Sequence, residues 1–324
     1  MTVGVIGGGA WGTALAQMVA RGGEDVILWA LEPDVVRAVN DLHQNPLYLP
    51  GIRLDGRIRA TGTTGDLARA DLWLVAVPAQ FLRAVLAECP VSHGATLILC
   101  AKGIEGASFA LMTDVAATVA GPGARIAVLS GPSFADEVAR GLPTAVTLAA
   151  ADRGLGETLV RRLARPNFRP YWSDDVVGAE IGGAVKNVLA IACGVVEGAG
   201  LGRNANAALI ARGFAEMTRF GLARGARAET LAGLSGLGDL VLTCSSANSR
   251  NYTLGIGLGQ GRPVRDLLAT RSVAEGVTTA PVLVEAARRA GVEMPIAAAV
   301  AGLLSGTDLA ATIATLLARP LRAE

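Results

Sequence analysis

Lys102 and Lys186 are the two lysines of a chain whose other 27 basic side chains are arginine. An arginine keeps its proton in any protein environment, whereas a lysine amine can be tuned by burial or by a neighbouring cation into an acid and base. Both lysines lie among small and apolar residues, in "TLILCAKGIEG" and "GGAVKNVLAIACG". Drift in an arginine-biased chain leaves stray lysines on solvated surface, and neither of these has that setting. The pair therefore reads as amine chemistry. At helical spacing the face of Lys186 carries Ala179, Gly182, Gly183, Ala190 and Cys193. Such small residues either admit a neighbouring helix closely or leave room for a ligand. The competing reading is a lysine that snorkels from a helix contact to solvent.

Further polar residues could complete such a site. "LSGLGDLVLTCSSANSRNYTLG" (234–255) holds Asp239 and Thr243, four apart and so able to share a helical face. It then offers Ser249, Arg250 and Asn251, a guanidinium, an amide and hydroxyls of the kind that hold a phosphate. "LSGPSFADEV" (129–138) leaves a strand-like run through Gly131 and Pro132, and supplies Ser133 and a helix start. Lys102 follows another such run, at the carboxyl edge of a parallel sheet where ligands bind.

A third constellation opens the chain. In "TVGVIGGGAWGTALA" the glycines Gly7, Gly9 and Gly12 match G-x-G-x-x-G between a strand and a helix. Gly7 permits the tight turn, Gly9 lets a pyrophosphate approach the backbone, and Gly12 lets the helix pack on the strand. The helix N-terminus then meets the anion with unpaired N–H groups and a favourable dipole. Glu32 follows Gly12 by 20 residues and lies just past the second strand, where an acid binds the adenosine ribose hydroxyls. With Ala30 and Leu31 beside it and no arginine there, the stretch favours NAD over NADP, although Arg37 lies one helical turn on.

These residues need a scaffold that brings strand ends and helix faces to a ligand. The first half alternates apolar runs at 2–6, 25–29, 71–77, 96–100, 125–129 and 144–150 with helical patterns at 10–20, 33–42 and 80–88. Near-continuous hydrophobicity suits strands buried on both faces, which predicts a doubly wound, mainly parallel sheet. From about residue 175 strand signals vanish and helical patterns follow, the last over 296–318. The expected domains are 1–175, dinucleotide-binding, and 176–324, all-helical.

A formal charge of +1 without a basic block gives no reason to expect nucleic acid or an anionic membrane. Charges or breakers are expected to interrupt every apolar run before it could span a bilayer, and no signal peptide is apparent. The chain reads as soluble and cytoplasmic. Cys89, Cys100, Cys193 and Cys244 are scattered, which suits reduced thiols rather than a zinc site or disulfides. His43 and His93 each sit by turn residues, and no metal is expected.

The segments "GGGAWGTALA", "CAKGIE", "LSGPSFADEV", "EIGGAVKNVLAIACG", "GLSGLGDLVLTCSSANSRNYTLG" and "SVAEGVTTAPVLVEAARRAGVEMPI" together resemble the soluble bacterial NAD(P)-dependent glycerol-3-phosphate dehydrogenases. The likeness runs nearly end to end. It implies a Rossmann domain, then an all-α domain of the 6-phosphogluconate-dehydrogenase-like type, in a homodimer. It also implies interconversion of dihydroxyacetone phosphate and sn-glycerol 3-phosphate, a precursor of phospholipids. By resemblance Lys186 is the catalytic acid/base. Lys102, Gly131, Ser133, Asn187, Asp239, Thr243, Ser249, Arg250 and Asn251 contact the substrate, and Asp239 orients Lys186. Ala10, Trp11, Ala135, Val273 and Glu275, with Lys102 and Arg250 again, join the glycines at NAD or NADP. Two other readings share parts of this pattern. A 3-hydroxy-acid dehydrogenase of the same plan would not need the cluster around Arg250, and a non-catalytic dinucleotide sensor would have no use for Lys186 or Asp239.

Overall fold

The structure, a computed structural model, describes residues 2–91, 94–269 and 274–320. The chain forms two compact units. The first comprises Met1–Glu105 with Ala110–Glu180, the second Gly106–Phe109 with Ile181–Glu324.

The first unit is built on one sheet of eight strands: β1 (Thr2–Ile6), β2 (Asp25–Trp29), β3 (Ile58–Thr61), β4 (Leu72–Val75), β5 (Thr96–Leu99), β6 (Arg125–Ser130), β7 (Thr144–Ala149) and β8 (Phe168–Ser173). Their order is β3-β2-β1-β4-β5-β6-β7-β8, and every neighbouring pair is parallel except β6–β7. The apolar runs do what parallel strands require. Leu72, Leu74 and Ile98 enter one core with Val3 and Val5, while Trp73, Val75, Leu97 and Leu99 enter another. Alternate residues of one strand thus serve opposite faces, both covered by helices. The expected doubly wound architecture is present. Two strands went unpredicted. β3 alternates buried Ile58 and Ala60 with outward Arg59, and β8 carries Arg169 and Pro170 on an edge, so neither shows a continuous apolar run.

Helices make up the described secondary structure of the second unit from Ile181 onward, as expected. The long helix Val176–Gly198 enters it from the first unit, and its small residues are spent on close backbone approach. A Cβ on Gly182 would lie 2.4 Å from the Ser235 carbonyl oxygen, one on Gly194 2.1 Å from that of Tyr252, and one on Gly198 2.2 Å from that of Ile256. Of the two uses the sequence left open for the face of Lys186, Gly182 serves packing. The pattern over 296–318 is two helices, Pro295–Leu304 and Leu309–Leu317. They are separated by "SGTD", whose Asp308 side chain accepts from the Ala311 amide and starts the second.

One expectation is corrected. Val176–Gly198 has the length and hydropathy to cross a membrane, because Glu180, Lys186 and Glu197 are too few to interrupt it. Its most apolar 18-residue window is 89% buried, as in the core helix of a globular protein.

Candidate active site

In the first unit Gly7 and Gly12 have the turn and the close packing that the sequence suggests. Gly7 has φ +117°, and a Cβ there would lie 2.9 Å from the Ala76 carbonyl oxygen. At Gly12 a Cβ would sit 1.9 Å from the Gly7 carbonyl oxygen, so the first helical turn rests directly on the loop. At Gly9 a Cβ would meet nothing within 4 Å. Helix Ala10–Arg21 begins there with no side chain capping its first amides, which leaves orphan donors and the positive dipole end for an anion. Trp11 lies on that first turn. Its buried indole N–H has no hydrogen-bond partner among the described residues, the Cys100 sulfur beside it being a weak acceptor. Open space at Gly9 and bare amides fit a dinucleotide pyrophosphate.

Glu32 follows β2 by three residues, and its Oε1 accepts a 2.6 Å hydrogen bond from the Tyr48 phenol. Leu31 is exposed and Ala30 buried. Arg37 is exposed and pairs with Asp34.

Lys102 lies in the turn after β5, where its Nζ donates to the Gly131 carbonyl oxygen at 3.2 Å. Ser133 Oγ donates to the same oxygen at 2.9 Å, so the structure brings these three predicted residues together. Gly131, with φ +148°, packs against Val146. The Lys102 turn is held by residues the sequence did not mark. Gln80 donates to the Ile104 carbonyl, and Arg83 grips Glu105 through two hydrogen bonds of 2.8 and 2.9 Å. Ala135 opens the short helix Ala135–Arg140.

In the second unit Lys186 lies on the buried face of its helix. Nζ donates to Asp239 Oδ1 and to Thr243 Oγ1, each at 2.8 Å. Thr243 Oγ1 in turn donates to the Asp239 carbonyl oxygen at 2.6 Å, the i, i+4 geometry read from the sequence. Lys186 is 8% exposed, Asp239 1% and Thr243 3%. Removing one partner of such a buried pair would strand the other's charge, at a cost of about 3–5 kcal/mol. An ammonium has three donors, and fixing two of them fixes the direction of the third. Cys193 and Cys244 lie beside the pair. The neighbouring Cys193 thiol and burial hold the Cys244 thiol well above its ordinary range, so it stays protonated and unreactive.

The remaining predicted contacts are engaged in different ways. Ser249 caps helix Arg250–Gly259, accepting from the Tyr252 amide at 3.2 Å. Asn251 donates to Asn187 Oδ1 at 3.0 Å and accepts from the Gly276 amide at 3.0 Å, next to Glu275, so it ties three helices together. Arg250 is exposed. Val273 and His93 lie outside the described residues. Among the described residues no group of three or more His, Cys, Asp or Glu could hold a metal ion.

Two buried carboxylates escaped the sequence reading. Glu180 accepts from the amide and hydroxyl of Thr113 at the start of helix Met112–Ala120. Glu216 accepts from the amides of Ile296 and Ala297 at the start of helix Pro295–Leu304. Burial pushes each up to about 7 despite those donors. A glutamate within a helical pattern carries no sign that it caps a different helix.

A glycine loop heading a doubly wound sheet, followed by a helical unit with a buried amine, defines the class: a Rossmann-type, NAD(P)-dependent oxidoreductase. The profile of the NAD-dependent glycerol-3-phosphate dehydrogenase N-terminus matches residues 2–155 and that of the C-terminus residues 175–314. The chain belongs to this family. It is 62% identical to a glycerol-3-phosphate dehydrogenase (NAD(P)+) of Erythrobacter litoralis, over 99% of this chain and 97% of the relative. A Caulobacter vibrioides protein of the same name is 59% identical, over 99% and 98%. The crystal structure of glycerol-3-phosphate dehydrogenase from Coxiella burnetii superposes with a TM-score of 0.93 at 37% identity, covering 98% of this chain and 99% of that one.

Proposed function

We propose that the protein reversibly reduces dihydroxyacetone phosphate to sn-glycerol 3-phosphate, with NAD preferred over NADP, and that Lys186 is the acid/base. The observation that carries this reading is the buried Lys186–Asp239–Thr243 triad on a chain that opens with a dinucleotide loop. Residues 1–175 are read as the dinucleotide-binding domain and 176–324 as the substrate and catalytic domain.

Gly7, Gly9 and Gly12 would hold the pyrophosphate at the first helix, with Ala10 and Trp11 on that turn and Glu32 at the ribose. Ala135, Val273 and Glu275 complete the cofactor contacts. Bound NADH or NADPH supplies a hydride to the carbonyl carbon. Lys186 would meet the carbonyl oxygen and give a proton to the alkoxide as negative charge develops there. In the reverse direction the neutral amine takes the proton from the hydroxyl. Asp239 and Thr243 aim the amine, and Asp239 favours its charged form. Lys102, with Gly131 and Ser133, holds the substrate oxygens. Arg250, with Ser249, Asn251 and Asn187, receives the phosphate, and that remote binding energy orients the reacting carbon. Asn251 and Ser249, already bonded internally, act through remaining donors and by placing Arg250.

The protein is further read as a cytoplasmic homodimer that supplies sn-glycerol 3-phosphate for phospholipid synthesis. Loss of reduced-nicotinamide absorbance with dihydroxyacetone phosphate tests the assignment. Turnover by wild type and its loss in Lys186→Arg, with both ligands still bound, are the expected results. An inactive wild type overturns the substrate, and a fully active arginine variant overturns the role of Lys186.

A further inference from the structure

We propose that Tyr48 is a positioning residue that sets the preference for NAD over NADP by holding the Glu32 carboxylate in place. The inference rests on the reading of Glu32 as the acid that meets the adenosine ribose.

Glu32 has a long side chain that would otherwise sample many rotamers, and ordering it during cofactor binding would weaken that binding. In this structure the ordering is done in advance. The Tyr48 phenol donates to Glu32 Oε1 at 2.6 Å, which leaves Oε2 to accept from a ribose hydroxyl.

Tyr48 is itself held by a loop fastened to the first helix. Asn45 is fully buried, and its Nδ2 donates at 2.8 Å to both the Gly8 carbonyl oxygen and Thr13 Oγ1. Its Oδ1 accepts from the Tyr48 amide at 3.2 Å. Further along, buried Gln17 donates to the Arg53 carbonyl oxygen and accepts from the Asp55 amide at 2.7 Å. One hydrogen-bonded path thus runs from the glycine loop through Asn45 and Tyr48 to Glu32. The same path sets the loop that would receive the pyrophosphate and the acid that would receive the ribose.

An oriented carboxylate distinguishes the two cofactors by charge. It accepts from a 2′-hydroxyl, and it repels a 2′-phosphate at the same place. Of its neighbours along the chain, exposed Leu31 is apolar and Arg37 is paired with Asp34. A carboxylate left loose could swing away from the phosphate, so discrimination depends on the phenol.

The test compares wild type, Tyr48→Phe, Glu32→Gln and the double variant, each with NADH and NADPH at saturating dihydroxyacetone phosphate, alongside thermal unfolding. Tyr48→Phe is expected to raise the NADH KM about fivefold, the worth of one net hydrogen bond, with kcat and the melting temperature held and the NADPH KM unchanged or lower. In the Glu32→Gln background the same change should do nothing more. Equal loss with both cofactors, no loss with either, or an undiminished effect in the Glu32→Gln background each overturns the role of Tyr48. If Glu32→Gln raises the NADH KM while Tyr48→Phe is silent, the ribose reading stands and the Tyr48 proposal falls alone. If Glu32→Gln leaves both cofactors unchanged, the ribose reading fails and takes the proposal with it.

Discussion

Around Gly7, Gly9 and Gly12 the chain is shaped by backbone alone, whereas around Lys186 it is shaped by three side chains from two helices. The first region works by what is missing: no Cβ at Gly9, no cap on the first helix, no side chain between Gly12 and the Gly7 carbonyl. The second works by what is present, an amine locked to a carboxylate and a hydroxyl in a nearly dry patch. Backbone donors have fixed charge and cannot exchange protons at neutral pH, so they suit an anion that must only be held. A side-chain amine can change its protonation state, so it suits the reacting centre. The two regions should therefore fail in opposite ways, one when an atom is added and the other when a group is changed.

The largest effect is expected at Lys186. Lys186→Arg keeps the charge but withholds the proton, and kcat should fall about 10²–10⁴-fold in the absorbance assay with little change in KM. Activity close to wild type would reduce the side-chain region to a fixed positive charge, like the backbone region. Asp239→Asn comes next. It keeps shape and hydrogen-bonding reach but removes the counter-ion, and kcat should drop about tenfold to a hundredfold, as for loss of a charged hydrogen bond. A lower melting temperature in thermal unfolding should accompany it.

The glycines supply the converse. Gly12→Ala forces a carbon against the Gly7 carbonyl, which should cost about 1–3 kcal/mol of stability and weaken NADH binding at least tenfold. Gly9→Ala meets no protein atom, so stability should stay within about 1 kcal/mol while NADH affinity falls. Melting temperature and a fluorescence titration with NADH separate the two. An equal loss of stability in both variants would contradict the division of labour among the glycines.

A further effect lies outside both regions. Glu180 and Glu216 have folded pKa values near 7, above the ordinary 4.5, so the folded state binds protons that the unfolded state releases. Stability should be greatest below pH 4.5 on this account and decline as pH rises to about 7, by on the order of 1–3 kcal/mol per group. Glu216→Gln should flatten part of that slope in denaturant titrations at pH 5 and pH 8. A slope unchanged in the variant would mean that Glu216 is charged throughout.

The two regions also differed in how openly the sequence displays them. The glycine loop is contiguous and bounded by a strand and a helix, so residue spacing alone assigned Gly7, Gly9 and Gly12 their places. Lys186 was marked by rarity, and Asp239 with Thr243 by helical spacing, but nothing local shows that residue 186 meets residues 239 and 243. That pairing is long-range, and the resemblance carried it. The strands with continuous apolar runs were legible because both their faces are buried. β3 and β8 were not, since Arg59, Arg169 and Pro170 give them the texture of loops. The small residues flanking Lys186 suggested either a groove or a contact, and only the fold shows backbone from 235–236 lying against Gly182. Tyr48, Gln80, Arg83 and Glu105 support predicted residues through tertiary hydrogen bonds, for which composition and periodicity hold no signal.

The helix Val176–Gly198 has a consequence for how the chain is made. It has the length and hydropathy of a membrane span, yet the segments that press against its glycines, near Ser235 and from Tyr252 to Ile256, come later in the chain. During translation the apolar helix therefore leaves the ribosome before its cover exists. In that interval its apolar surface is open and prone to aggregate, until the later segments, including Gly276 that lies against Asn187 and Ile191, have emerged and docked.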